Sequence, residues 1–274
     1  FPTRRSSDLG WGAYSLPKAD MPNVKKLMED GSYTLKKRSA LPSSSAINWA
    51  SMFMGAGPEL HGYTEWGSKT PELPSRVLNK NGIFPTVFQL LRDARPEAEI
   101  GCLYEWEGIK YLVDTLSLNY HYHVADCNKT PKELGNMASA YIKEKHPALV
   151  AICYDGPDHT GHTEGHDTPA YYEKLKELDI YVGQIVQAVK DAGILDDTIF
   201  ILTSDHGGID KGHGGKTMQE METAFIISGK NIKKGLRFDD VSMMQYDVAS
   251  TIASIFNLEQ PQVWIGRPMK IVFK

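Results

Sequence analysis

The chain has 274 residues, 41% of them apolar and 23% charged, enough to bury a sizeable core and too ordinary a balance for a disordered segment. Thirty Lys and Arg against 34 Asp and Glu leave a formal charge of −4, which excludes the basic excess needed to grip a nucleic-acid backbone. No apolar run reaches the roughly 18 residues of a membrane-crossing helix, and the dispersed Cys102, Cys127 and Cys153 make neither a CxxC metal knuckle nor a disulfide framework.

One disulfide beside a free thiol stays open, and with it the redox compartment. What remains is a soluble, compact enzyme-like chain. Residues 1–9 (FPTRRSSDL) are polar and aperiodic. They resemble in-frame translation of a sequencing-library adapter joined to a truncated gene, and are set apart from the fold reading. On that reading an export signal, or a functional residue just ahead of Gly10, is lost with the natural N-terminus.

From Trp11 onward helical and extended patterns alternate. Residues 22–30 start with Pro22 and stop before Gly31, the punctuation of a helix. Residues 46–54 form a short apolar stretch closed by Gly55 and Gly57, and residues 59–85 read as loops over a site. An amphipathic helix is predicted over 86–94, a strand near 100–106 and a helix over 131–145. Residues 148–154 (ALVAICY), 198–203 (TIFILT) and 223–228 (TAFIIS) are continuous apolar runs, suited to strands buried on both faces. The longest helix is predicted over 168–192, with Leu175, Leu178, Val182, Ile185, Val186 and Val189 on one stripe. A last helix covers 246–256. Strands alternating with helices predict a parallel or mixed sheet covered on both faces, in one domain over 10–274.

The chemistry clusters at two strand ends. Asp155, Asp158, His159, His162, His166 and Asp167 follow the 148–154 strand. Asp205 and His206 follow the 198–203 strand, with His213 shortly after. Functional groups of open α/β sheets gather beyond the carboxyl ends of strands. In Asp158-His-Thr-Gly-His162 the i, i+4 spacing lets a carboxylate and an imidazole converge on one ion, in a set suited to zinc or manganese. Gly156, Pro157 and Gly161 interrupt a helical pattern there and predict a ligand-bearing loop. Polar residues of surface loops would account for any one of these segments, but less well for three together. Earlier, Leu41-Pro-Ser-Ser-Ser45-Ala-Ile-Asn48 sets three serines ahead of a short helix. A hydroxyl there meets the positive end of the helix dipole, although a serine in that place also serves as a plain N-cap.

Taken together these segments resemble the alkaline phosphatase superfamily, and within it the type I phosphodiesterase/nucleotide pyrophosphatase branch. The resemblance rests on the Met21-Pro-Asn-Val-Lys-Lys-Leu-Met helix, the Pro42-Ser-Ser-Ser-Ala-Ile-Asn48 turn and Gly57-Pro-Glu-Leu-His61-Gly62. It extends over Gly156-Pro-Asp158-His-Thr-Gly-His162, Ser204-Asp205-His206-Gly207, Gly212-His213-Gly-Gly and the Asp247-Val-Ala-Ser-Thr-Ile-Ala to Trp264-Ile-Gly-Arg-Pro tail.

The resemblance implies a three-layer α/β/α sandwich with a mostly parallel central sheet. It also implies two divalent ions, zinc or else manganese or another, about 4 Å apart as in two-metal hydrolases. Asp158, His162 and His213 would hold the first ion; Asp205 and His206 would hold the second, beside a nucleophile at Ser45, or failing that Ser44. Asn48 would orient a non-bridging oxygen. The family takes another ligand to the second ion from an Asp-Gly at the end of the first strand. Here Gly10 follows Leu9, so that strand and that ligand are expected to be missing and the second ion to bind weakly.

The implied reaction is hydrolysis of a small phosphoric ester, a nucleotide included, through a metal-activated serine and a phosphoserine intermediate. Residues 41–68 carry no Lys or Arg to meet the extra charge of a monoester, and Tyr63 and Trp66 offer aromatic surface for a base or aryl group, which favours diesters; Trp49 and Phe53 read equally as core. The alternatives are a phosphomonoesterase, a phosphoglycerate mutase-like or phosphonate-cleaving enzyme on the same frame, or an inactive metal-binding domain. A sulfatase is disfavoured, because Ser43-Ser-Ser-Ala-Ile has neither the Pro nor the Arg of its C/S-x-P-x-R context. His61, His121, His123 and His146 stay unassigned, whereas His159 and His166 lie close enough to the ligands to support them. Relatives of this kind are often exported, which points to a periplasmic or extracellular place; the oligomeric state stays open.

Overall fold

The computed structural model describes residues 10–125 and 131–274 in full and residues 3–8 as backbone. In chain order, β1 (Thr3–Asp8) leads to α1 (Pro22–Glu29), β2 (Gly31–Arg38), α2 (Ser45–Met54), α3 (Pro58–His61) and α4 (Val87–Ala94). Next come β3 (Ile100–Tyr104), β4 (Tyr120–His123), α5 (Pro131–Lys145), β5 (Leu149–Tyr154), α6 (Gly156–Glu164) and α7 (Pro169–Asp191). The chain finishes with β6 (Ile199–Ser204), α8 (Met218–Met221), β7 (Glu222–Gly229), β8 (Leu236–Arg237) and α9 (Asp247–Phe256).

The strands form one sheet in the order β4-β3-β5-β1-β6-β7-β2-β8. Among the described strands β7 alone runs against the rest, antiparallel to both β6 and β2. Alternation along the central strands divides two cores. Leu149, Ala151, Cys153, Ile201 and Phe225 pack toward α2, α4 and α9, whereas Val150, Ile152, Tyr154, Leu202 and Ile226 pack toward α1, α5 and α7. This is the three-layer α/β/α arrangement, with strands buried on both faces because both faces carry helices. Cys102 and Cys153 are buried; Cys127 lies outside the described residues.

The first strand, expected to be missing, is filled. Thr3–Asp8 lies between β5 and β6 and pairs with both in parallel, from Thr3 against Leu149 and Ile199 to Asp8 against Tyr154 and Ser204. A ladder joins main-chain N–H and C=O groups, which every such residue carries, so a polar segment satisfies a slot that composition argued against. β2 and β4 also form where no apolar run announced them.

Local chemistry explains the helix ends. Gly55 closes α2 at φ +60°, a left-handed conformation that suits glycine. The Thr86 hydroxyl accepts from the Gln89 amide to cap α4. No side chain of its own caps α1. Instead Asp179, buried on α7, accepts from the amides of Asn23 and Val24 at 3.0 and 2.8 Å, which locks the two helices together.

Candidate metal centre and active site

The carboxyl ends of β5, β1 and β6 lie side by side, and the chain leaving each one enters a common crevice. That is where ligands collect in open α/β sheets. The segment after β5, expected as a loop, is the helix α6. Pro157 sits in its first turn, where a missing N–H costs nothing. A Cβ at Gly161 would fall 2.2 Å from the His166 ring, so glycine is required there for close packing and not to end the helix. The helical turn sets Asp158 and His162 on one face. Asp158 Oδ2 lies 3.3 Å from His162 Nε2, and its Oδ1 lies 3.8 Å from His213 Nε2. These three residues offer ligand atoms all within 4.8 Å of one another.

Asp205 and His206 leave β6 next to this group. Both are wholly buried, with Asp205 Oδ2 3.3 Å from His206 Nε2. The His206 and His213 rings stack with centroids 3.8 Å apart, which joins the two halves of the cluster. Ser45, the first residue of α2, places its Oγ 3.0 Å from His206 Nε2. The five ligand candidates and the serine therefore meet in one crevice.

The hydrogen bonds of the three histidines show what the crevice is built to hold. Nδ1 of His162 faces the Lys211 carbonyl at 2.9 Å, that of His206 the Gly207 carbonyl at 2.8 Å, and that of His213 the Ser43 carbonyl at 3.1 Å. Since a carbonyl only accepts, each Nδ1 carries a proton, and each ring, when neutral, turns the lone pair of Nε2 inward. Those lone pairs meet carboxylate oxygens. Asp158 Oδ1 and Asp205 Oδ2 are buried without a hydrogen-bond partner among the described residues. Lone pairs facing lone pairs call for a cation, and the mixed imidazole and carboxylate set fits zinc.

Charge states without a cation reflect the same conflict. Burial pushes the Asp205 carboxyl up to about 7, and the nearby Asp158 adds to it. Burial also opposes ionisation of Asp158, yet the hydrogen bond to His162 and the charge of the neighbouring histidines hold it below the usual carboxylate range. The same hydrogen bond raises His162 to about 9, so a proton stands where a metal would. Burial lowers His206 and His213 below the ordinary imidazole value.

Other expected site residues are placed differently. Asn48 cannot orient a substrate oxygen. It is wholly buried, its Oδ1 accepts from the Ala40 amide at 2.7 Å, and its Nδ2 faces the carbonyls of Ala40, Pro42 and Ser44. Tyr63 offers no stacking surface; it is 3% exposed in the core, with its hydroxyl on the Tyr111 carbonyl at 3.2 Å. Trp66 is 68% exposed, and its carbonyl accepts from the Ala46 amide, one residue after Ser45. Trp49 and Phe53 are core. Ser44 occupies the N-cap position of α2 without a side-chain cap bond. His61 is buried on Ser51 and the Tyr63 amide, and burial lowers it to about 3. His166 is buried against Gly161 and Gly208. The ligand expected to be missing ahead of Gly10 falls at Leu9, which lies outside the described residues.

Sequence reasoning missed three contributors. The Gly10 amide donates to Asp205 Oδ1 at 3.1 Å. Ser43 fixes the His213 ring through its carbonyl. Lys37, wholly buried on β2, donates to the Ser204 carbonyl at 2.7 Å, just ahead of Asp205. Main-chain partners leave no mark in a motif.

Residues 10–225 match the profile of the family described as type I phosphodiesterase/nucleotide pyrophosphatase. Bis(5′-adenosyl)-triphosphatase enpp4 of Mus musculus is 26% identical over 209 residues, covering 72% of this chain and 45% of that protein. GPI ethanolamine phosphate transferase 3 of Schizosaccharomyces pombe is 30% identical over 122 residues, covering 44% of this chain and 13% of that protein. The chain thus spans less than half the length of either curated relative. The structure of murine ectonucleotide pyrophosphatase/phosphodiesterase 5 superposes over 100% of both chains with a TM-score of 0.81 at 14% identity, a likeness of fold.

Proposed function

Because the chain belongs to the type I phosphodiesterase/nucleotide pyrophosphatase family, we propose that it is a metal-dependent hydrolase of phosphoric esters with Ser45 as its nucleophile. The observation that carries this reading is the placement of Ser45 Oγ 3.0 Å from His206 Nε2, at the edge of a cluster in which Asp158, Asp205 and His206 are buried and the exposed His162 closes the outer side. Asp158, His162 and His213 would hold one divalent ion, and Asp205 and His206 a second beside Ser45. Zinc suits the set, with manganese as the other candidate. Once bound, the ions supply Lewis acidity, which makes a serine hydroxyl a competent nucleophile and neutralises charge on the transferring phosphoryl group.

The chain's own groups do the rest. Ser45 Oγ forms the bond to phosphorus in line with the ester oxygen that leaves, giving phospho-Ser45 and a free alcohol. Water then cleaves the phosphoserine and releases phosphate or a monoester. The ten-residue helix α2 starts at Ser45 and presents its positive end to the transferring group. In the metal-free chain the Ser45 hydroxyl points at His206 Nε2, the nitrogen that would hold the second ion, so the oxygen is already aimed at that ion's place.

Diesters fit better than monoesters. Residues 41–68 contain no Lys or Arg to pair the second negative charge of a monoester. Trp66 exposes its ring while its main chain is tied to the residue after Ser45, an aromatic face suited to an aryl group or a nucleobase. A small nucleotide ester matches the substrate named for the enpp4 relative.

Turnover of bis-p-nitrophenyl phosphate and p-nitrophenyl phosphate by the zinc-loaded chain tests the reading. The diester is expected to react faster, and Ser45→Ala to abolish turnover of both, a loss on the order of 10³-fold or more. Turnover that survives Ser45→Ala or thorough chelation would overturn the mechanism, and faster monoester hydrolysis would overturn the substrate class.

A further inference from the structure

The turn ahead of the nucleophile is gripped from two sides. From α2, the Asn48 side chain accepts the Ala40 amide at 2.7 Å and turns Nδ2 toward the carbonyls of Ala40, Pro42 and Ser44 at 3.2, 3.2 and 3.0 Å. From the other side, the loop that carries His213 grips Ser43. The Ser43 hydroxyl donates to the Gly215 carbonyl at 2.7 Å and accepts from the Gly214 amide at 3.2 Å, and the Ser43 carbonyl accepts from His213 Nδ1 at 3.1 Å.

A carboxamide has two N–H donors and one acceptor oxygen. Here they hold the carbonyls on both sides of Ser43, so Pro42 and Ser44 turn theirs to Asn48 and the carbonyl between them is left to His213. That carbonyl decides which ring nitrogen of His213 carries the proton, and hence that Nε2 faces Asp158 Oδ1, 3.8 Å away. The same turn ends at Ser45. One buried amide thus stands behind both a nucleophile and a candidate metal ligand.

We propose that Asn48 is a positioning residue that couples the Ser45 hydroxyl to metal binding at His213 through the 40–44 turn. The proposal rests on the assignment of Ser45 and His213 made above. It gives Asn48 no contact with substrate, since its amide is fully engaged and wholly buried. It predicts that loss of the Nδ2 donors harms zinc affinity and turnover together, at a site the side chain never touches.

The test compares the full chain with Asn48→Asp, which keeps the size and the acceptor but sets a carboxylate oxygen against three carbonyls. Asn48→Ser, smaller and uncharged, serves if the first variant does not fold. Melting is followed without metal, zinc affinity by competition with a chelating dye, and steady-state kinetics on bis-p-nitrophenyl phosphate at saturating zinc. Zinc affinity is expected to fall about 10- to 100-fold, the usual cost of losing a partner that orients a ligand. A displaced nucleophile lowers kcat on the order of 10²-fold, with KM within about threefold because no substrate contact is lost. A folded variant that melts lower yet keeps wild-type zinc affinity and kcat would show a purely structural residue and overturn the proposal. Should the wild-type chain bind no zinc, or Ser45→Ala keep its turnover, the functional reading itself fails. The wild-type and Ser45 controls therefore tell the two failures apart.

Discussion

Gly10 is the position where a single methyl group should disturb the whole centre. It sits at φ +66°, its amide donates to Asp205 Oδ1 at 3.1 Å, and its carbonyl accepts the Tyr171 hydroxyl at 2.8 Å. A Cβ there would lie 2.5 Å from Asp158 Oδ1 and 2.8 Å from the Asp158 Cα. The carboxylate oxygen can swing away, but the Cα belongs to α6 and moves only with the helix. A left-handed backbone costs a non-glycine residue roughly 1–3 kcal/mol, and overpacking in a buried site costs about 1–3 kcal/mol more. A combined loss of about 4 kcal/mol would lower the melting temperature of a domain this size by about 8–16 °C. Zinc affinity should fall tenfold or more, because both carboxylates shift. Gly193→Ala separates the two effects. Gly193 has φ +69° with nothing within 4 Å of its Cβ position, so it should lose only the backbone part and leave zinc untouched. Scanning fluorimetry with and without zinc, together with elemental analysis, reads both quantities. Wild-type melting and wild-type zinc content in Gly10→Ala would refute the placement of Gly10 between the two carboxylates.

Above pH 6.5, where the histidines lowered by burial no longer titrate, stability without metal should decline with rising pH. His162 is raised to about 9 by Asp158. Its contribution is complete below its ordinary value of 6.5 and is lost as pH climbs through 9. Asp205, raised to about 7 by burial, keeps a proton that the unfolded chain releases above 3.8, so it adds to the decline up to about pH 7. Zinc replaces these protons, so the zinc-induced rise in melting temperature should widen between pH 6.5 and 9; a gap that narrows would contradict the ligand set. At the rim, Trp66→Ala should lower kcat/KM for an aryl diester about 2- to 13-fold, from the roughly 0.5–1.5 kcal/mol of a stacking contact. Tyr63→Phe should cost about 1 kcal/mol of stability through its lost hydrogen bond and leave KM unchanged. A raised KM for Tyr63→Phe would return that ring to the substrate site.

The buried strands β5, β6 and β7 and the long α7 were legible because a continuous apolar run or a helical apolar stripe is stable only when neighbouring elements cover it. The site candidates were legible as types at strand ends. Their partners were not. The loop expected after β5 is α6, since the glycine and proline that argue against a helix in isolation are accommodated by its first turn and by the His166 ring. Asn48 carried a substrate role because a motif records a residue and not the carbonyls around it. Tyr63 and Trp66 look alike in sequence, and only packing buries one and exposes the other. β2 was hidden by Lys36, Lys37 and Arg38, although the structure buries Lys37 on the Ser204 carbonyl. Asp179 reads as a polar break in the apolar stripe of α7 and turns out to cap α1 from another helix.

Strand spacing explains why the two halves of the centre meet over Gly10. β5 and β6 are separated by β1 alone, so at about 4.8 Å per neighbour their ends lie roughly 10 Å apart. The chain brings Asp158 from the first turn after β5 and Asp205 from the residue after β6, and each side chain reaches inward over the end of β1. The two carboxylates can close on that line only if the residue beneath them has no side chain and offers a donor. Gly10 meets both conditions, with its amide on Asp205 and its Cα face against Asp158. Each buried oxygen left without a partner costs about 1–3 kcal/mol, a penalty the two hydrophobic cores beside the sheet can carry. A bound cation would relieve that penalty at both carboxylates at once. The spacing of three parallel strands thus determines how closely the two carboxylates can approach, and a glycine at the end of the middle strand lets them do so.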